Sequence, residues 1–158
     1  MTNDDEKFMK IALNKAKQGV ENKQTPFGCC IVKNGKVITS AHNVVWKTTD
    51  ITAHAEITAI RKACKKLKSI SLKGCTLYST TEPCPMCFSA FHWAGISRIV
   101  YGTSIKDAKK FGFKELVISD KKMLTLGGIA IKLTPGVLRK ENLEFWKQWS
   151  KRKDKRTY

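Results

Sequence analysis

The chain has 158 residues, the length of one domain that buries about 70% of its unfolded surface and needs no staples. No run of 18 apolar residues occurs, so a membrane-spanning helix is excluded, and the acidic start Met1-Thr2-Asn3-Asp4-Asp5-Glu6 has no apolar signal core, so a cytoplasmic chain is expected. The net charge of +17 admits a nucleic-acid partner without requiring one, because only five of the 30 basic residues are the arginines that fork onto phosphates and base edges.

Residues 4–20 read as a helix. Thr2 or Asn3 can cap it, Asp4, Asp5 and Glu6 suit its positive end, and Phe8, Ile11, Ala12, Ala16 and Val20 share one apolar face. A loop over 22–26 leads to a hairpin, with strands at 27–33 and 36–45 joined by Asn34-Gly35. The first of these strands is a continuous apolar run, as expected when both faces are covered. A helix follows at about 53–67, with Ile57, Ile60, Ala63, Cys64 and Leu67 at helical spacing and a lysine-rich solvent face. A short strand at 75–80 turns through Thr81-Glu82-Pro83 into a helix ending near Gly95, and another strand runs over 98–102. A crossover helix between two strands makes them parallel. A helix at 105–111, a last strand within 126–133 after Gly127-Gly128, and a helix at about 137–149 complete the order, followed by a charged tail over 150–158. The alternation predicts a single α/β domain of three layers, a mixed five-stranded sheet with helices on both faces.

Two stretches carry chemistry. Ala53-His54-Ala55-Glu56 places an imidazole and a carboxylate at the start of one helix, and Pro83-Cys84-Pro85-Met86-Cys87 places two thiols at the start of another. A lone C-x-x-C is also read as a redox pair or as half of a structural zinc site, and a lone histidine on an apolar helix as a core residue. Here no second C-x-x-C exists to close a four-sulfur site. Helix N-termini lower thiol pKa. One His and two Cys leave a tetrahedral zinc with an open fourth position, the mark of a catalytic centre, and such a zinc brings water to a pKa of roughly 7. Glu56 is then the candidate proton carrier. Cys29, Cys30, Cys64 and Cys75 lie in apolar patterns and read as small buried hydrophobes with reduced thiols.

The pattern H-x-E…P-C-x-x-C is the signature of zinc nucleobase deaminases. On Thr52 to Cys64, Pro26-Phe27-Gly28, Glu82 to Cys87, Trp93, Gly112-Phe113 and Tyr158 the chain resembles the cytidine-deaminase superfamily, and within it the bacterial and plant guanine deaminases. The resemblance implies one zinc per subunit held by His54, Cys84 and Cys87, with Glu56 moving protons while the amine on the purine carbon between two ring nitrogens leaves as ammonia. It also implies substrate contacts at Asn43, Ala55, Phe27, Trp93, Glu115 and Tyr158. Asn43 also fits a strand end, and Phe27 and Trp93 also fit core positions. Glu115 stands where guanine deaminases carry an aspartate, so the carboxylate is kept but set one methylene farther out. Tyr158 sits at the end of a tail that in this branch crosses to the partner of a homodimer and closes that partner's site. Three other readings share the motif: a tRNA adenosine deaminase, a deaminase of another free base or nucleoside such as cytosine, a pterin or a triazine-like ring, and a zinc-stabilised RNA-binding protein without catalysis. An intact Glu56 argues against the last, since a structural site needs no acid–base residue.

Overall fold

The computed structural model describes residues 3–158. Helix α1 covers Asn3–Glu21, strands β1 and β2 cover Gly28–Lys33 and Lys36–His42, and a short helix α2 covers Val45–Thr48. Helix α3 is Ala55–Leu67, β3 is Cys75–Thr81, α4 is Pro85–Ala94 and β4 is Arg98–Thr103. Then come α5 at Ile105–Lys110, α6 at Asp120–Gly127, β5 at Lys132–Thr134 and α7 at Arg139–Ser150. The cap expected from Thr2 or Asn3 rests on side chains outside the described residues.

The sheet order is β2-β1-β3-β4-β5. β1 pairs antiparallel with both β2 and β3, whereas β3, β4 and β5 run parallel. Asn34 and Gly35 both take positive φ (49° and 70°), the geometry of a two-residue hairpin turn whose twist matches the strands. The mixed five-stranded sheet is therefore as the alternation predicts.

Alternation of side chains divides the core in two. Cys30, Val32, Tyr78 and Val100 point to one face and meet Phe8, Met9 and Ala12 of α1. Cys29, Ile31, Leu77 and Ile99 point to the other, against Ala55, Ala59 and Ala63 of α3 and Phe88 and Phe91 of α4. Gly28 is required by the first contact: a Cβ there would run into the Ala12 carbonyl and the Ala16 amide, so α1 rests directly on β1. Buried Asp5 ties the same helix across the sheet, accepting from Arg98 Nη1 and Nη2 at 2.8 and 3.0 Å and from the Tyr78 hydroxyl at 3.1 Å.

The structure differs from expectation in four places. β2 stops at His42, and Val45–Thr48 is a helical turn. The segment before the last strand is helix α6, capped by Ser119, whose hydroxyl accepts from the Lys122 amide, and stopped at Gly128 with φ 60°. Only Lys132–Thr134 is strand, because an extended segment there is fixed by pairing with β4 and not by its own pattern. Leu138 takes φ 51° and starts α7 two residues later than expected. Of the four non-motif cysteines, Cys29, Cys30 and Cys75 are buried as expected, while Cys64 is only half-buried.

Candidate active site

The catalytic candidates gather at the ends of two helices. His54 is the N-cap of α3 and Cys84 the N-cap of α4, each in extended backbone just past a loop or strand, with Pro85 fixing the first turn that carries Cys87. The Nδ1 of His54 lies 3.7 Å from the Cys84 sulfur and 3.6 Å from the Cys87 sulfur. Zinc bonds of about 2.3 Å to sulfur and 2.0–2.1 Å to nitrogen, set at tetrahedral angles, separate S from N by about 3.6 Å. The three residues therefore fit zinc, and they are the one such cluster among the described residues. Cys84, accepting from Cys87 and lying beside His54, is pulled down to about 4 despite burial, while that same bond and burial push Cys87 up.

Glu56, in the first turn of α3, is 5% exposed. Its Oε2 lies 3.8 Å from the Cys87 sulfur, and its Oε1 accepts from the Ser79 hydroxyl at 2.8 Å. Burial pushes its pKa above the ordinary carboxylate value against the pull of His54, the direction that favours a group able to hold a proton. Ala55, fully buried, begins the same helix, where main-chain N–H groups have no partner within the helix.

A cavity of about 380 Å³ opens over these groups, within the usual range for small-ligand sites. His54, Cys84, Phe113, Glu115 and Tyr158 line it, and Ile51, Met86 and Leu116 form an apolar mouth. A smaller recess beneath it joins Phe27, Glu56, Thr81 and Glu115. Phe27 is thus both pocket wall and core, its ring meeting Phe113 at 4.8 Å and Trp146 at 5.2 Å. Burial, then the nearby Cys84, push Glu115 up to about 7. Asn43 is fully buried, its Oδ1 accepting from the Val45 amide at 3.1 Å and its Nδ2 donating to the Tyr158 hydroxyl at 2.6 Å.

Residues 2–103 match the family described as the cytidine and deoxycytidylate deaminase zinc-binding region. The chain belongs to this deaminase family. It is 45% identical over 114 residues to the guanine deaminase of Bacillus subtilis (strain 168), covering 72% of this chain and 73% of that one. It is equally 45% identical over 96 residues to the tRNA-specific adenosine deaminase of Aquifex aeolicus (strain VF5), covering 61% of this chain and 64% of that one. Among solved structures, the guanine deaminase from Nitrosomonas europaea superposes with a TM-score of 0.85 at 27% identity, over 92% of this chain and 84% of that one.

One residue of this deaminase stands away from its expected place. Trp93 is 85% exposed on the outer side of α4 and lines neither recess. Its helix turns Cys87, Phe88 and Phe91 inward, and position 93 falls on the opposite face. Tyr158 lies in the cavity: its ring is 5.4 Å from His54, and its carbonyl accepts from the Lys114 amide at 3.1 Å. Sequence reasoning missed Ser79, Glu82 and the apolar mouth. Buried Glu82 accepts the first amides of α5 and α6, from Ile105 and Asp120, each at 3.0 Å, and so hangs the segment bearing Phe113 and Glu115 from the cysteine turn. Its place beside Pro83-Cys84 was the available signal.

Proposed function

We propose that this deaminase acts on a free purine base, converting guanine and water into xanthine and ammonia. His54, Cys84 and Cys87 would hold zinc, which when bound lowers the pKa of the reacting water to about 7. Glu56 takes a proton from that water, then returns protons to a ring nitrogen and to the departing amine. One carbon–oxygen bond forms, one carbon–nitrogen bond breaks, and no oxidant or reductant is needed. The Val45 amide pins the Asn43 carboxamide oxygen, and the Asn43 N–H₂ donates to the Tyr158 hydroxyl that lines the cavity, so Asn43 acts on the base by way of Tyr158. Glu115 offers a carboxyl group to ring N–H groups, and Phe27 and Phe113 supply faces for a flat ring.

The observation that carries this reading is Tyr158 seated in the cavity on Asn43. A tyrosine packed there leaves room for a base and crowds out the flanking nucleotides of an RNA. Homodimerisation with exchange of tails is part of the proposal, since the same closure can be made by a neighbour's tail.

The tRNA adenosine reading has its own support in the +17 charge and in the equal identity to tRNA-specific relatives. A substrate panel decides between them. Purified protein is given guanine, adenine, cytosine, guanosine and tRNA, with ammonia release and tRNA sequencing as readouts. Ammonia from guanine is expected first, and Glu56→Gln should lower it by about 10²–10⁴-fold. Ammonia from tRNA or cytosine alone rejects the base while leaving the chemistry. A tRNA gel shift at rising salt adds a second reading, because phosphate contacts weaken steeply with salt.

A further inference from the structure

Glu56 must present one defined oxygen to the metal corner, yet the terminal torsion of a glutamate is broad and roughly two-fold. Within its own helix the carboxyl group is reached by the Glu56 main-chain amide, and the side chain that donates to it is Ser79. The selection comes from the sheet beneath. Ser79 lies on β3 beside Cys29 of β1 and Tyr101 of β4, on the face that packs against α3. Its neighbours there, Cys29 and Leu77, are fully buried, and Ser79 itself is 1% exposed. A hydroxyl in such surroundings costs free energy unless it is bonded. It is bonded, donating to Glu56 Oε1 at 2.8 Å, while Oε2 is the oxygen turned toward Cys87.

We propose that Ser79 is a positioning residue for the reaction: by donating to Oε1 it assigns every proton that Glu56 carries to Oε2. A carboxylic acid bears its proton on one oxygen, and the other is the better acceptor. With Ser79 donating to Oε1, the O–H stands on Oε2, facing the corner where water and the departing amine meet. The carboxyl group then needs no rotation between receiving a proton and delivering it. This deepens the deaminase reading and rests on Glu56 as proton carrier, but it holds for any of the candidate bases.

Three variants test it: Ser79→Ala, Ser79→Val and Ser79→Thr. Valine and threonine share a shape, so their difference isolates the hydroxyl from packing. On the base that the wild type turns over, Ser79→Ala and Ser79→Val should lose about 10- to 100-fold in kcat with KM within about twofold, as expected for a lost hydrogen bond to a charged group. Ser79→Thr should stay within about threefold of the wild type. Zinc content and melting temperature should be alike in Ser79→Val and Ser79→Thr. Equal activity of those two variants overturns the proposal, as does a loss that merely follows zinc content or melting temperature. Crystal structures of the zinc-loaded proteins supply a readout independent of turnover. The Glu56 carboxyl should take a second orientation in Ser79→Val and keep one in Ser79→Thr, and an unmoved carboxyl in Ser79→Val refutes it. If the wild type releases ammonia from no base, the functional reading fails, while the carboxyl orientation still decides the role of Ser79.

Discussion

At Glu56, burial and hydrogen bonding act in opposite directions. Removal from water raises the pKa, whereas His54 and the Ser79 bond favour the charged form. That balance suits a group that must both accept and give protons. The proposed metal ligands have no such latitude, since their two sulfurs and one nitrogen sit at separations that suit one tetrahedral ion. Cys84→Ser or His54→Ala should therefore abolish zinc retention after dialysis, measured by elemental analysis, while Glu56→Gln keeps its metal. A full zinc content in Cys84→Ser would contradict the assigned ligand set. His54, Glu56, Cys84 and Cys87 were legible from spacing alone because each lies within a helical turn of another. Ser79 was not, since its partner is 23 residues away in sequence and the contact exists only once strand and helix are stacked.

Among the elements, α1 and α6 show what packing adds to propensity. Helix α1 approaches β1 so closely that Gly28 has no room for a methyl group, and the obstruction is backbone, which cannot move aside by changing rotamer. Gly28→Ala should cost about 1–3 kcal/mol, read as a lower denaturant midpoint with an unchanged slope. Helix α6 hides an acid at its start: Asp120 is fully buried, no hydrogen-bond partner serves its two oxygens, and burial together with Glu82 pushes it up to about 9. The neutral form is then the one that folding favours. Above the unfolded Asp value of about 3.9, the unfolded chain releases this proton and the folded one holds it. This group therefore subtracts from stability as pH rises, until about 9. Asp120→Asn should raise the melting temperature relative to wild type more at pH 8 than at pH 5. A difference constant across that range would show that Asp120 is ordinary. The cap at Ser119 and the stop at Gly128 were readable signals for this helix, but the apolar run past the paired glycines favoured a strand.

On the scale of the whole molecule, the tail joins the last residue to one near the start. Tyr158 bonds Asn43, and the Arg156 guanidinium lies 5.3 Å over the Trp46 ring. Removal of residues 154–158 should lower kcat/KM for the base at least about tenfold, the scale of a lost closing contact. Mixing that truncated protein with Glu56→Gln copies separates the two ways of closing. Regained activity means that one copy's tail serves another's site, and none means that each tail serves its own. Among the described residues no helix is long and apolar enough to cross a membrane.

Sequence by itself determined the layer order, the hairpin turn and the candidate set of His54, Cys84, Cys87 and Glu56, since those depend on residues close in the chain or on strict periodicity. Tertiary structure alone decided which face Trp93 takes, where the last strand pairs, how Glu82 hangs the Glu115 segment from the cysteine turn, and that Ser79 meets Glu56. Each of these is a contact between distant segments, and its energy exists only after the sheet has brought them together.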